Sequence, residues 1–393
     1  MSWLLDGQPL RSILVTRLRY LGDVVMSTVV LEALKAGAPQ LRLGFLCEEE
    51  HGVVLENHPR LDSLHLLRTK RRGSDALARH NSPNSSTDFA RDLPPASTLA
   101  MVRQLRAQHY DLAVDLFFNP RSAWLLRLAG IPARIGGTRG SRRHLYSHTV
   151  IRQDLGAQLN SFQKVAPGGL GEHLLRLAPL VHEPSGLDFL AWFESYRNGL
   201  PMRPTLEAPK LGPRAQAALT SVTVEPERPF VLLAPGATWP SKEWPLASWQ
   251  KLVQKLAKEN EANILVVSPP GAHQDWASLS QDIPPGRGGV LPVLDLKEVM
   301  GLLGSAQLVV SVDGGLMHMS VGLGTPTVGI FGPTRPDIWF PYEGSGPFRV
   351  LCTRPACHPC NLHQCDEFIC LPQLEPDAVL QAASALAGKR GTL

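Results

Sequence analysis

Asp313, Gly314 and Gly315 follow a β-branched run at positions 309–312, and a helical pattern begins directly after them. Paired glycines at a strand-to-helix turn let a phosphate approach backbone N–H groups at the positive end of the helix dipole. Ligands of open α/β sheets bind at this place, beyond the carboxyl end of a strand. The pattern indicates a site for a diphosphate-bearing ligand, but a plain tight turn, with His318 packed in the helix, has the same signature.

Two other polar groups follow apolar strands. Asp23 comes at the start of a helix after the strand predicted at residues 13–16, where an ionised carboxylate is favoured by the helix dipole or simply caps the helix. Thr238 and Lys242 lie in a polar loop after the strand at residues 230–233. A helix with an amphipathic pattern follows this loop, so the order strand, loop and helix repeats at each group.

The elements that position these groups alternate as strand and helix, which predicts parallel sheets in an α/β fold. A chain of 393 residues is too long for one ordinary core and suggests two domains. We predict an N-terminal domain at 1–200, a proline-rich linker at 201–213 and a C-terminal domain at 214–393. Residues 69–97 are rich in Ser, Asn, Asp, Arg and Pro, which predicts an exposed insertion in the first domain.

Composition agrees with a globular protein, since 44% of residues are hydrophobic and 19% are charged. The sequence has no window apolar enough for a membrane span and begins without the pattern of a signal peptide, so we expect a cytoplasmic location. The net charge of +4 is mild, but Arg139, Arg142 and Arg143 are close together in a glycine-containing stretch. This patch could face an anionic lipid headgroup, a phosphorylated sugar or nucleic acid, or be a solvated loop.

Four cysteines follow the spacing C-x2-C-x4-C-x4-C near the C-terminus: Cys357, Cys360, Cys365 and Cys370. In a cytoplasmic protein, this spacing favours structural zinc or an iron–sulfur cluster over disulfides. Thiols that are reduced and packed, or occasionally disulfide-linked, are the other interpretation. His358 and His363 could also serve as ligands.

Three motifs taken together resemble those of glycosyltransferase family 9, the bacterial heptosyltransferases that build the inner core of lipopolysaccharide. They are LVTRLRYLGDVVMSTVVLEAL near the N-terminus, PGATWPSKEWPLASW after the linker, and VSVDGGLMHMSVGLGTPTVGIFGPTRPDIW. They cover both predicted domains. The resemblance implies the GT-B architecture, two Rossmann-like domains with an inter-domain cleft. It also implies a nucleotide diphosphate heptose donor, ADP-heptose in this family, and inversion at the anomeric carbon.

The resemblance assigns roles to individual residues. Asp23 matches the family's general base, and Lys242 matches a lysine that neutralises the donor diphosphate, with Thr238 in the same loop. The donor motif Asp-x-Gly-Leu-x-His is matched by Asp313, Gly315, Leu316 and His318, with Gly314 at its variable position. These roles agree with the chemistry, because a sugar hydroxyl needs a base and the departing nucleotide needs positive charge and N–H donors.

The same resemblance implies a lipid-linked saccharide acceptor, peripheral contact with the cytoplasmic membrane face and no nucleic-acid partner. We expect Arg17, Arg19, Arg139, Arg142 and Arg143 to contact the acceptor. No cofactor is expected for catalysis, since a lysine and a helix N-terminus can stabilise the leaving group. The sequence departs from the family where an acidic residue commonly holds the ribose, since His273 is found there with Asp275 two residues on.

Two alternatives stay open. One is a family 9-like transferase with another donor sugar or acceptor, which His273 favours. The other is a non-catalytic metal- or nucleotide-binding protein of the same fold, which the cysteines favour.

Overall fold

The computed structural model describes residues 1–68, 95–138, 140–196, 199–225, 227–259, 261–269 and 276–387. Its contacts divide the chain into two compact units, one ending at Glu207 and the other beginning at Ala208. Of the predicted insertion at 69–97, residues 69–94 lie outside the described residues, as do Arg139, His273 and Asp275. Residues 200–212, which include all of the predicted linker except Pro213, form neither helix nor strand.

The first unit is built on a parallel sheet in the order β5-β4-β3-β6-β7-β8 and carries a small antiparallel sheet in the order β10-β9-β1-β2. The strands are β1 Trp3–Leu5, β2 Gln8–Leu10, β3 Ser12–Thr16, β4 Arg42–Glu48, β5 Ser63–Leu67, β6 Leu112–Asp115, β7 Ala133–Gly136, β8 His148–Thr149, β9 Val181–His182 and β10 Leu187–Asp188. The helices are α1 Leu21–Met26, α2 Thr28–Gly37, α3 Glu49–Gly52, α4 Thr98–Ala107, α5 Pro120–Leu128, α6 Gly156–Val165, α7 Gly168–Leu174 and α8 Phe189–Tyr196.

The second unit has a parallel sheet in the order β13-β12-β11-β14-β15-β16. Its strands are β11 Phe230–Ala234, β12 Asn263–Val266, β13 Gly288–Val290, β14 Leu308–Val312, β15 Thr327–Phe331 and β16 Phe348–Cys352. Its helices are α9 Pro213–Ser221, α10 Leu246–Glu259, α11 Leu296–Ser305, α12 Gly315–Gly322, α13 Pro336–Trp339 and α14 Pro376–Ala387.

Numbered within each parallel sheet, the strands of both units lie in the order 3-2-1-4-5-6. This is the Rossmann order, and ligands bind such sheets where the order reverses, between strands 1 and 4. In the first unit that position lies beyond the ends of β3 and β6, and in the second beyond β11 and β14. The α/β fold and the two Rossmann-like units are as predicted.

Alternate strand residues build the core of the second unit. Val231 and Leu233 of β11 point to the same face, because successive side chains of a strand alternate. They pack in one buried cluster with Trp249 and Leu252 of α10 and with Leu380 of α14. This cluster holds the strands and helices together. The loops beyond the strand ends are therefore anchored at both ends.

The sequence interpretation missed the small antiparallel sheet. Asp6 and Gly7 connect β1 to β2 with positive φ angles of 50° and 75°, the turn that suits a two-residue hairpin. Trp3 of β1 is fully buried, and its indole N–H donates to Leu34 O at 2.9 Å. The Asp-Gly pair was the available signal for this hairpin.

The sequence pattern predicts Trp124, Leu125 and Leu128 as the buried face of α5, and this prediction is partly wrong. Leu125 is buried as predicted, but Trp124 and Leu128 are 53% and 51% exposed. Leu126 is buried in their place. The apolar residues of α5 are nearly consecutive, so periodicity alone could not select the face that packs on the sheet.

No helix in the described part of the chain combines the length and apolar character that a membrane crossing needs.

Candidate functional site

Lys242 and Asp313 form an ion pair at the strand-order reversal of the second unit. β11 and β14 are parallel neighbours, so the loops after them begin at the same sheet edge. The loop after β11 ends in a 3₁₀ helix at Pro240–Lys242, and Asp313 directly follows β14. Lys242 Nζ lies 2.7 Å from Asp313 Oδ2, and Thr334 Oγ1 donates to the same oxygen at 2.5 Å. The Asp313 carboxylate is therefore buried but has two partners.

The N-terminus of α12 lies beside this pair. Gly314 is the residue before the helix, and a side chain added there would meet only Val312 O, at 3.8 Å. Gly315 is the first helical residue, and Leu316 is half-buried. His318 is buried, and its Nδ1 shares a hydrogen bond of 2.7 Å with the Tyr342 hydroxyl. Space beside exposed N–H groups and a nearby ammonium suit an anionic ligand.

Glu243 fixes the loop that carries Lys242. Its buried carboxylate accepts a hydrogen bond from Ala237 N at 3.1 Å, which joins the two ends of the loop. Thr238 is exposed within the loop. The structure thus brings together Lys242, Asp313, Gly314 and Gly315, and Glu243 is a supporting residue that the sequence interpretation missed.

Asp23 lies at the strand-order reversal of the first unit. Its Oδ1 is 2.8 Å from Arg17 Nη2, and Tyr20 N donates to its Oδ2 at 3.3 Å. Arg17 also donates from Nη1 to Leu116 O at 2.8 Å, and its guanidinium lies over the Phe117 ring, 5.0 Å from the centroid. Arg17 therefore orients the Asp23 carboxylate and links the loops after β3 and β6.

Arg19 contacts a different carboxylate. Its Nε is 3.7 Å from Glu48 Oε2, while Arg121 Nη1 is 2.9 Å from Glu48 Oε1. Within the described residues, Glu48, Glu50 and His51 form the group of three that could hold a metal ion, with ligand atoms within 4.8 Å of one another. Both carboxylate oxygens of Glu48 already contact arginines, so we interpret this group as an ion-pair network.

A basic cavity of about 480 Å³ lies beyond the carboxyl ends of β6, β7 and β8. Its lining includes Phe118, Arg142, Arg152 and Arg176. Of the predicted acceptor residues, Arg142 therefore lines this cavity, and Arg143 is exposed in the same 3₁₀ turn. Arg152 and Arg176 were not predicted from the sequence.

Arg176 is the most constrained of the three arginines. Its guanidinium lies over the Phe118 ring, 4.3 Å from the centroid, and its Nη1 donates to Val150 O at 2.8 Å. Burial lowers the pKa of Arg176, although arginine stays charged at any ordinary pH. A partly desolvated cation gains more from an anionic partner than one in water does.

A buried aspartate holds the phenylalanine loop of the cavity. Asp115 Oδ1 accepts hydrogen bonds from Phe117 N at 2.9 Å and Phe118 N at 3.1 Å. Its Oδ2 accepts from the Tyr146 hydroxyl at 2.7 Å. Burial raises the pKa of Asp115, while these donors oppose the rise. These hydrogen bonds therefore fix the loop that positions Phe118 against Arg176.

The cysteines are all free thiols. Burial raises the pKa of Cys370, and the nearby Cys360 and Cys365 add to this effect, so these three lie in one neighbourhood. However, the group of three potential metal ligands described above, whose ligand atoms lie within 4.8 Å of one another, contains no cysteine. The zinc or iron–sulfur site stays a prediction.

Comparison with known proteins gives the chemical class of the enzyme. The family model described as glycosyltransferase family 9 (heptosyltransferase) matches residues 188–367, which contain Lys242 and Asp313. Lipopolysaccharide heptosyltransferase 1 of Pseudomonas aeruginosa is 22% identical over 360 residues, 90% of this chain and 87% of that protein. These matches support a glycosyltransferase that is similar to the heptosyltransferases of family 9.

Solved structures agree with the family 9 fold. A family 9 glycosyltransferase from Veillonella parvula superposes with a TM-score of 0.71 at 18% identity, covering 96% of this chain and 98% of that one. The Escherichia coli ADP-heptose lipopolysaccharide heptosyltransferase II gives a TM-score of 0.68 at 20% identity, covering 96% and 99%. This likeness shows that the chain has the GT-B fold.

His173 is a buried neighbour of the Arg17–Asp23 pair. Its pKa is lowered to about 3, first by burial and then by the charge of Arg17, while Asp23 acts in the opposite direction. The folded protein therefore keeps His173 neutral at pH values where the unfolded chain, with a pKa near 6.5, binds a proton. The resulting contribution to stability is complete above about pH 6.5 and decreases as the pH falls towards 3.

We expect His173→Gln to flatten the acid side of the stability profile. Without His173, the unfolded chain binds one proton fewer. The slope of the unfolding free energy against pH therefore decreases by about 1.4 kcal/mol per pH unit below pH 6. Urea unfolding at pH 7, 6, 5 and 4.5 measures this slope. The exposed His144→Gln variant is the control and should match the wild type. An unchanged slope in His173→Gln would show that His173 takes up a proton in the folded state.

Proposed function

We propose that this enzyme transfers a heptose from ADP-heptose to an inner-core lipopolysaccharide acceptor, with inversion at the anomeric carbon. The observation that carries the proposal is the Lys242–Asp313 pair beside the N-terminus of α12, at the strand-order reversal of the second unit. The name of a structural neighbour, the Escherichia coli heptosyltransferase II, includes ADP-heptose. The name of the Pseudomonas aeruginosa relative includes lipopolysaccharide.

The proposed reaction divides between the two units. Asp23 accepts the proton of the attacking acceptor hydroxyl, whose oxygen forms a bond to the anomeric carbon of the donor. The bond from that carbon to the diphosphate oxygen breaks, and its electron pair leaves with ADP. Lys242 and the N–H groups at the start of α12 stabilise the charge that develops on the diphosphate. Arg17 holds Asp23 in one orientation through its 2.8 Å contact.

The experiment that tests the donor assignment is a calorimetric titration of the purified protein with ADP, GDP, UDP and CDP. We expect ADP to bind most tightly and to raise the unfolding temperature, because a ligand that binds only the native state stabilises it. Preference for another nucleotide would keep the diphosphate site and change the donor. Binding of none of the four would contradict the proposed transferase reaction.

We further propose that an anionic group of the acceptor occupies the basic cavity. Arg142, Arg152 and Arg176 line it, and Arg17 connects the cavity loop to Asp23 through Leu116 and Phe117. An anion held there would lie on the same sheet edge as the proposed base. Guanidinium groups suit phosphates and carboxylates because they offer paired donors.

Arg176→Met keeps much of the apolar stem but removes the charge. We expect the acceptor KM of this variant to rise by about 10- to 100-fold, the effect of losing a hydrogen bond to a charged group. The ADP-heptose KM should stay unchanged. Initial-rate kinetics with each substrate varied in turn measures both constants. Arg142→Met is a second test with less risk to folding, and the exposed Arg127→Met is the matched control. Equal acceptor KM values in all variants would remove the cavity from the acceptor site.

Peripheral contact with the membrane stays a prediction. Its support is the pair of exposed apolar side chains on α5, Trp124 and Leu128, beside Arg106, which donates to Leu128 O at 2.7 Å. Co-sedimentation with phosphatidylglycerol vesicles tests it, and no binding at low salt would contradict it.

A further inference from the structure

The cysteine-rich segment, residues 353–372, packs against both loops that hold the Lys242–Asp313 pair. Ser241 precedes Lys242, and its hydroxyl donates to Leu362 O at 2.5 Å. On the other side, Asn361 N donates to Pro333 O at 3.0 Å, directly before Thr334. The segment thus joins the loop that carries the ammonium to the loop that bonds its carboxylate partner.

The Trp239 ring contacts both His363 and Lys242. The His363 ring stacks on the indole with centroids 3.8 Å apart and an angle of 22° between the planes. Lys242 Nζ lies 4.4 Å from the centroid of the same indole. Trp239 O also accepts the Lys242 N–H at 3.0 Å. One aromatic ring therefore contacts the lysine directly and the cysteine-rich segment through His363.

This arrangement adds a second restraint on the Lys242 side chain, whose ammonium already contacts Asp313. A lysine has four rotatable bonds, and fixing them on binding costs conformational entropy. The indole limits where the Lys242 ammonium can lie, and the indole itself is held by His363. Ser241 N also donates to His363 O at 3.3 Å, so the backbone and the ring of His363 act on the same turn.

We propose that His363 is a positioning residue for the donor diphosphate, acting through Trp239 on Lys242. The inference rests on the proposed diphosphate site. His363 itself is exposed and remote from the chemistry in sequence. The cysteine-rich segment accordingly acts as a brace for the donor loop, whether or not its thiols bind a metal.

The test compares ADP affinity in three variants by calorimetry at fixed ionic strength. His363→Ala removes the stack and is expected to weaken ADP binding by roughly two- to tenfold, the range for an aromatic pair. His363→Phe retains a planar ring and should stay within about twofold of the wild type. Gln364→Ala changes the exposed neighbouring residue and serves as the control. Equal affinities for wild type and His363→Ala would overturn the proposal.

A double-variant cycle separates positioning from general structural damage. In a Lys242→Met background, His363→Ala should cause no further loss of ADP affinity, because the residue on which it acts is gone. If His363→Ala weakens binding by the same factor in both backgrounds, His363 does not act through Lys242 and the inference is wrong.

A ligand-free measurement distinguishes this inference from the proposed donor. In protein labelled with ¹³C-lysine, the Trp239 ring current should shift the Lys242 side-chain signals, and His363→Ala should reduce that shift while His363→Phe keeps it. An unchanged shift in His363→Ala overturns the inference, whatever binds. A reduced shift without ADP binding to the wild type supports the positioning of Lys242 and contradicts the ADP donor.

Discussion

Asp23→Asn is expected to lower the rate of heptose transfer by about 10²- to 10⁴-fold, the range associated with removing a general base. Asparagine is nearly the same size as aspartate and keeps an oxygen for Arg17 or Tyr20, but its amide cannot accept the hydroxyl proton. ADP affinity should not change, since the diphosphate is assigned to Lys242 and α12. Single-turnover transfer and ADP calorimetry on the same preparation measure the two effects.

The exposed Asp154→Asn variant of the first unit is the control for Asp23 and should retain wild-type rates. A transfer rate within tenfold of the wild type in Asp23→Asn would mean that another group takes the proton. Arg17 orients Asp23 at 2.8 Å, so Arg17→Met should lower the rate through misplacement of the carboxylate. Asp23→Asn combined with Arg17→Met should then be little slower than Asp23→Asn alone.

Lys242→Met is expected to weaken both ADP binding and the fold. Asp313 is 4% exposed, so removal of the ammonium leaves a buried carboxylate whose remaining side-chain partner is the Thr334 hydroxyl. Loss of one partner of a buried ion pair costs about 3 kcal/mol of unfolding free energy. The loss of positive charge beside the diphosphate weakens ADP by about 10- to 100-fold, as for a hydrogen bond to a charged group.

A second substitution separates these two effects. Lys242→Met with Asp313→Asn removes both charges, so we expect most of the unfolding free energy to return while ADP binding stays weak. Lys255 and Asp377 form an exposed ion pair of 2.6 Å in the same unit and provide the control. Lys255→Met should leave stability and ADP affinity nearly unchanged. If the double variant recovers ADP affinity, Lys242 does not contact the diphosphate.

Much of the fold could be predicted from the sequence because the relevant signals are local. The apolar runs that form β3, β11 and β14 are buried on both faces and are followed by polar turns, as parallel strands require. The helix predicted after Asp23 instead divides at Ser27 into α1 and α2. Ser27 Oγ donates to Asp23 O at 2.7 Å, and this local bond competes with a continuous helix.

The proximity of the proposed donor residues could also be predicted from the sequence, since Lys242, Gly314 and Gly315 follow strands that pair as neighbours. The contributions of Arg176 and His363 could not. Arg176 reaches Phe118 from a segment 58 positions later in the chain, and His363 reaches Trp239 from 124 positions away. No periodicity in either segment specifies its partner, because packing of the whole unit determines which of them meet.

The shared strand order of the two sheets has an evolutionary consequence. The same scaffold presents backbone N–H groups and a lysine in one unit, and guanidinium groups and phenyl rings in the other. Each set of loops is encoded in its own half of the chain. Under the proposed function, a lineage can change acceptor preference by substitution around Phe118 and Arg142 while it keeps the proposed donor loops intact. Under the same proposal, donor and acceptor recognition evolve independently, and chimeras between related proteins should exchange one without the other.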